Sequence, residues 1–439
     1  MALDSAKRHV RVRGLWPVSA THAPSSILGA YSQGTPTITA TTGGSGVVYA
    51  SSPRSVDINA AITAANNGDT VYVPPGAETW TADVTIPSTK GVKLIGAGQG
   101  LTNINLGGTY RLFLDTRSTN AAVRASGFTF TNGPAHSLRI NNMTLGATNW
   151  RVDHCTWSGI TSANCTAVTG YTFGVFDHCT WTNCFRPLWI EGQNAAYDIA
   201  GYPGPINYPG AYSWTQPLDW GGPSAVYYED CTFSTTTRDI LFNCRAGARF
   251  VFRHNTVTGS NMETHSGCTP GMRNDRWCEI YENAWDYTGG SVGMGVWLRG
   301  MNGAIYNNTF VNGYQSSVQF DYEQACRPSA AVDWINSCNP AWLPAFDVNP
   351  PHDRINIDYY TYPVQDQIGC GRDTGWGTAQ AADEAKLWIW SNTLNGSASS
   401  PVFVGCAEAA EFIQSGRDYF TSAPAGYTAY TYPHPVTLL

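Results

Sequence analysis

Apolar and polar positions alternate along this chain in short runs broken by Gly, Pro, Asn and Thr, so the elements they predict are short strands joined by turns. One pattern recurs: RVDHCTW at Arg151 to Trp157, VFDHCTW ending at Trp181, YYEDCTF ending at Phe233, VFRHNTV ending at Val257, IYENAW ending at Trp285, IYNNTF ending at Phe310 and IWSNTL ending at Leu394. Its anchors are Cys155, Cys179, Cys231, Asn255, Asn283, Asn308 and Asn392, spaced by 24, 52, 24, 28, 25 and 84 residues. The short spacings define a unit of about 25 residues. The long ones read as that unit plus insertions, as in a solenoid whose loops lie on its faces. ASGFTFTNG around Phe128 is a weaker eighth copy.

Three residues before each anchor stands Val152, Phe176, Tyr228, Phe252, Ile280, Ile305 or Ile389; two residues after it stands Trp157, Trp181, Phe233, Val257, Trp285, Phe310 or Leu394. Both columns are apolar and face inward. Between them lies a short polar turn, the place where Asn tolerates left-handed backbone before β-branched residues resume a strand. Asn255, Asn283 and Asn308 are expected to stack as an inward hydrogen-bonding ladder, continued by the small, readily buried Cys155, Cys179 and Cys231. Leucine-rich repeats are too short for this unit, and propeller blades need about 40 residues.

Composition narrows the class. Of 439 residues only 13% are charged, while 45 Gly, 25 Pro and 13% aromatics fit an all-β chain rich in turns. The net charge of −7 gives no electrostatic footprint for nucleic acid. No 18-residue apolar run exists to span a membrane. The N-terminus carries Lys7, Arg8, Arg11 and Arg13 but no apolar run behind them, so it does not read as a secretory signal. Twelve Cys are nevertheless more than a reduced cytosolic protein normally holds. Either a signal has been trimmed, or the protein matures outside a cytosol without secretion, as a particle released by lysis would.

GDTVYVPPG (Gly68 to Gly76), preceded by INAAITAANN and followed by VKLIGAGQGLTNI, resembles the opening of the pectate-lyase-like superfamily. FVFRHNTVTG and AIYNNTFVNG resemble its later turns. The resemblance implies a right-handed single-stranded parallel β-helix over residues 51–420, with insertions at about 185–222 and 321–386. Residues 1–50 form a Ser/Thr/Gly-rich arm and 421–439 a C-terminal tail. It also implies a short capping helix, which Ile58, Ala61, Ile62 and Ala65 fit by their helical spacing. The superfamily holds polysaccharide lyases, glycoside hydrolases, phage tailspikes and virion surface proteins, so the fold does not choose among them.

Two clusters could carry chemistry. Asp153, Asp177, Glu229 and Arg253 stand two residues before their anchors and stack on one outer face if the shorter insertion loops out. The three carboxylates could hold Ca2+, as the resemblance implies for pectate lyases, or serve as a glycosidase pair. The competing reading is a solvated polar column beside His154, His178 and His254. The second cluster is Arg238, Asp239, Arg245, Arg249, Arg253, Glu263, His265 and Arg276. Arginine's fork suits carboxylated sugars, and as a lyase base it would need a greatly lowered pKa; structural pairing with Asp239, Glu263 and Asp275 is the alternative. If the protein is an enzyme, Arg249, Arg253 and His265 line a groove for an acidic polysaccharide with Asp177 and Glu229 nearby.

The insertions carry Trp189, Tyr202, Trp214 and Trp220, and then Trp342 and Trp376, side chains that stack on sugars, anchor a protein neighbour or roof the loops' own cores. Cys268 with Cys278 and Cys326 with Cys338 are spaced for local disulfides. The odd remainder among Cys165, Cys184, Cys244, Cys370 and Cys406 points to a bond to another chain or a free thiol. No CxxC pair suggests zinc.

Two function classes follow. In one, the chain is a structural protein of a bacteriophage virion surface, a decoration, minor capsid or tail-associated β-helix. Its arm and loop cysteines then hold other virion proteins or a second copy, its aromatics meet a host polysaccharide, and no cofactor is required. In the other, it is a secreted polysaccharide lyase or hydrolase, with Ca2+ as the natural cofactor. The lyase signatures that the resemblance would place around a catalytic arginine are not recognisable, which favours the structural class.

Overall fold

The computed structural model describes residues 46–116, 121–142, 147–162, 164–192, 211–236, 240–264, 275–298, 300–320, 386–403, 415–416 and 418–438. Each coil lays one strand on each of three faces. Thr172–Asp177, Thr180–Thr182 and Leu188–Glu191 make one such coil. Like strands of successive coils pair in parallel and in register. The first face is a 12-stranded sheet from Val47–Tyr49 to Tyr419–Phe420, and the second an 11-stranded sheet beginning at Gly76–Thr79. The third face holds a six-stranded sheet ending at Phe242–Arg245 and a four-stranded one starting at Met262–Glu263, bridged by Ile240 and Asn261. The architecture is a right-handed parallel β-helix. Only the last hairpin of the second sheet, Thr393–Leu394 with Ser397–Ala398, pairs antiparallel among the described strands.

The turn from first to second face explains the repeat. The residue before each anchor adopts left-handed backbone: His154, His178, Asp230, His254, Glu282, Asn307 and Ser391 all have φ between 49° and 57°. The anchor that follows points inward and is buried in every coil. Asn255 Nδ2 donates to Asn283 Oδ1 at 3.0 Å, Asn283 to Asn308 at 2.9 Å, and Asn308 to Asn392 at 2.9 Å. Each amide also donates to the carbonyl of the apolar residue three before the previous anchor, as Asn255 does to Tyr228. The cysteines occupy the same station. Their thiols reach the equivalent carbonyls of Ala125, Val152 and Phe176 at 3.5–3.9 Å. A thiol is thus a weak copy of the amide donor.

Inside, the second apolar column forms a stacked aromatic spine. Trp157 lies 4.9 Å from Trp181 and Trp181 4.6 Å from Phe233, ring centre to ring centre. The helix Ser55–Ala64 closes the first coil, burying Ile58, Ala61 and Ile62 as its spacing requires.

The outer side of the first face is open at its first strands, where Tyr49 and Tyr72 are exposed, but covered from the Arg151 rung onward. Residues 427–437 run back along it as a strap, from the Tyr306 and Trp390 rungs down to Arg151. The segment around the short helix Ala211–Thr215 covers the region beside it. Val175, Tyr227, Val251 and Ala304 of the sheet form a second small core with Trp220, Tyr427, Tyr430 and Val436 of these covers.

Candidate functional site

The stacked column of carboxylates exists, but it is a column of buried ion pairs. Asp153, Asp177, Glu229 and Arg253 pair in register across adjacent strands, and the insertion between Asp177 and Glu229 loops out between paired neighbours. Arg124 grips both oxygens of Asp153 at 2.6 and 2.7 Å, and Arg151 both of Asp177 at 2.8 Å. Glu229 takes Arg253 through Oε2 and the backbone N–H of His434 through Oε1. The solvated column expected as the competing reading is therefore corrected: these carboxylates are buried. Nor do they fit Ca2+. Each has its lone pairs committed to a guanidinium, and no three His, Cys, Asp or Glu groups converge to hold a metal among the described residues.

Arg249, Arg253 and Arg276 of the second cluster are fasteners. Arg253 also donates to the carbonyls of Tyr430 and Thr431 in the strap. Arg249 donates to Ser213 Oγ and to the carbonyls of Ser213, Gln216 and Pro217, pinning the short helix. Burial pushes its guanidinium down to about 10, which leaves it protonated at neutral pH. Arg276 lies 4.7 Å over the ring of Trp214. Arg249, Arg253, Asp177 and Glu229 thus lie beneath covers, not along an open groove; His265, Arg238 and Asp239 lie outside the described residues. A small pocket, with room for about one water, at the corner between third and first faces is lined by Tyr171, Phe173, Ile190 and this same committed Arg249.

The aromatics divide. Trp214 is buried against Arg276, and Trp220 packs edge-on against Trp388 at 4.7 Å, so both roof the covers instead of facing a sugar. Tyr202, Trp342 and Trp376 lie outside the described residues. Trp189 alone of the described set sits on the third face.

That face carries a constellation in which Trp189 and Arg245, both expected, stand with Arg139 and His136, which were not. Leu138, Ile140, Leu188, Ile190 and Phe242 point into the core. Strand alternation therefore turns Arg139, Ala167, Trp189 and Asn243 outward in one register column, with Glu191 and Arg245 in the next. Arg245 lies 4.3 Å over the Trp189 ring and 3.2 Å from Glu191. His136, in left-handed backbone at the strand's approach, stands 5.9 Å from the same ring. Burial, then the charges of Arg139, Arg111 and Arg245, push its imidazole down to about 4. Arg139 Nε and Asn243 Oδ1 are buried without hydrogen-bond partners, and Arg139 has no ion pair among the described residues. Three guanidiniums around a neutral imidazole, with Glu191 as the carboxylate paired among them, form a site short of negative charge. The third strand begins seven to thirteen residues after its anchor, an offset too variable for the repeat alone to reveal this column.

Every described cysteine, Cys155, Cys165, Cys179, Cys184, Cys231, Cys244 and Cys278, is a free buried thiol. The expected Cys268–Cys278 bridge is therefore corrected: Cys278 is a buried thiol of the core outside any disulfide, and Cys268 lies outside the described residues. Cys326 and Cys338 lie outside the described residues.

No family model and no curated protein sequence matches the chain. Solved structures do. A mannuronic acid specific polysaccharide family 6 lyase from human gut microbiota aligns at 14% identity and TM-score 0.44, covering 80% of this chain and 75% of that one. The PL6 alginate lyase AlyGC aligns at 11% identity and TM-score 0.37, covering 86% and 53%; a variant of it aligns at 14% and 0.41, covering 65% and 41%. The chain thus spans about half the length of AlyGC or less.

Proposed function

We propose that this protein is a polysaccharide lyase-type β-helix protein that takes an acidic polysaccharide on its third face. The observation that carries the reading is Arg139, a half-buried guanidinium with an orphaned Nε, set beside Arg111, Arg245 and His136. Buried donors are paired in folded proteins, so an unpaired one among cationic side chains is a place for a ligand's acceptor. A uronate carboxylate supplies one, in the planar form that guanidinium binds best. Trp189, buried beneath Arg245, backs these groups from below.

The same groups suit β-elimination. Guanidiniums neutralise the uronate carboxylate, which acidifies the proton on the adjacent ring carbon. In this reading the neutral His136 accepts that proton; the C–O bond to the next sugar then breaks, leaving a carbon–carbon double bond, and the departing oxygen is protonated from water.

The test is calorimetry and ultraviolet absorbance with polymannuronate, polyguluronate and polygalacturonate against neutral glucans. Uronate binding that weakens by about 10- to 100-fold in Arg139→Ala supports the reading, in line with the loss of a charge-assisted hydrogen bond. Absence of uronate binding, or equal binding by the variant, overturns it. Unsaturated products then separate cleavage from binding. The closed first face favours a second reading, a structural virion surface protein held to other virion proteins by its arm, which imaging of the native source tests.

A further inference from the structure

The turn between first and second faces places a histidine in two consecutive coils, and their rings stack. His154 and His178 lie with ring centres 5.0 Å apart and planes 3° from parallel. Each Nδ1 is bonded to the carboxylate of the preceding residue, His154 to Asp153 at 2.9 Å and His178 to Asp177 at 3.0 Å. These carboxylates cannot shift, because Arg124 and Arg151 hold them from the other side. An ionised carboxylate only accepts, so each Nδ1 carries a proton, and in the neutral ring each Nε2 keeps its lone pair. The side chains are 50% and 54% exposed, the outer halves of the rings meeting solvent.

This is the second shell that metal-ligating histidines show: one ring nitrogen donating to a fixed carboxylate, the other left basic and oriented for an ion. We propose that His154 and His178 form a two-histidine site for a borderline divalent transition metal, Cu2+, Ni2+ or Zn2+. Imidazole selects these ions over Ca2+ and Mg2+, which want oxygen. Metal–nitrogen distances of about 2.0–2.1 Å bring the two Nε2 atoms within about 4 Å, so the parallel rings pinch together at their exposed edges when the ion binds.

The neighbours define where the site ends. In the next coil the turn residue is Asp230, whose Oδ1 takes the hydroxyl of Tyr432 at 2.7 Å. In the coil after that, His254 packs on Tyr432 at 3.8 Å between ring centres and pairs with Glu282 at 3.3 Å. No third ligand converges among the described residues. Water fills the remaining positions, so the ion is held at an open, exchangeable site.

The test uses full-length protein without a polyhistidine tag, titrated with Cu2+ and Ni2+ by calorimetry, with electron paramagnetic resonance of the copper form. His154→Asn and His178→Asn are the informative variants, because Asn accepts the left-handed backbone of this turn and leaves the fold intact. Circular dichroism melting checks that it does. One ion per chain, a copper spectrum with two nitrogen ligands, and about tenfold or greater weakening in either variant but not in His254→Asn bear the proposal out, since each variant removes half of the protein ligands. Binding unchanged in the two variants, equal loss in His254→Asn, or no binding at all overturns it.

Discussion

Arg253 and Glu229 meet across adjacent coils at 2.6 Å with both side chains at 0% exposure. The pair joins the sheet to the strap, since Arg253 also donates to Tyr430 and Thr431 while Glu229 receives His434. Such a pair stabilises little relative to an apolar one, but breaking it by removing one partner strands the other charge. Arg253→Ala is expected to cost about 3–5 kcal/mol by urea denaturation. The double variant Arg253→Met with Glu229→Leu should recover much of that loss. If Arg253→Ala unfolds at the wild-type urea concentration, the pair is not closed in solution.

Asn283 sits mid-ladder, donating to Asn308 and accepting from Asn255. Asn283→Leu orphans groups on both sides and is expected to cost about 2–4 kcal/mol, at 1–3 kcal/mol for each buried group left unpaired. Asn283→Cys should cost less, because a thiol at this station reaches the same carbonyl, as Cys231 does in its own coil. Thermal melting of the two variants decides. Equal losses would mean that volume, not hydrogen bonding, sets the cost.

Acid should loosen the first face. Burial alone would raise the Asp153 carboxyl, but hydrogen bonds from Arg124 and His154 and the charges of Arg151 and Arg124 outweigh it and hold it well below the usual carboxylate range. A carboxyl depressed in the folded state contributes stability that is present above its unfolded value of about 3.9 and is lost as pH falls through its folded value. Urea midpoints measured from pH 5 to pH 2 should therefore fall less steeply in Asp153→Asn than in wild type. Parallel slopes would remove Asp153 from the account.

His136 gives the third face an opposite handle. With its imidazole pushed down to about 4, it is neutral at pH 7. A bound carboxylate favours the protonated ring, so by linkage a uronate ligand should bind more tightly as pH falls from about 6 toward 4. Calorimetry in buffers of different ionisation enthalpy should register proton uptake on binding near pH 5. Zero uptake there places the ligand away from His136.

Thiol chemistry checks the interior. Burial pushes the Cys155 thiol up, and Cys278 likewise. All seven described cysteines should be silent to a thiol reagent in the native protein and react once it is denatured. Reaction of Cys278 in the native state would reopen its pairing with a loop.

The coil was legible because its columns repeat: an apolar residue, an αL turn residue, an anchor and an aromatic recur at fixed offsets in every copy, and stacking leaves no other way to bury them. The environment of the outward columns was not. Asp177 and Glu229 read as solvent-facing from strand alternation alone, and nothing in YTYPHPVTL announces that it lies over them. Arg139, Trp189 and Arg245 come from three coils with loops of unequal length, so no local motif gathers them; only register brings them to one face.

The strap changes how the stack can come apart. A solenoid of nearest-neighbour contacts frays from its ends, one coil at a time. Here Thr437 bonds to Arg151, 286 residues earlier, and His434 to Glu229, 205 residues earlier. During synthesis the coils can stack in order as they leave the ribosome, but their first face stays wet, with Arg253 and Glu229 in water, until residues 427–437 are free to lie down. Laying down the strap dries a wall that is already built, and traction on the strap would undo that step first.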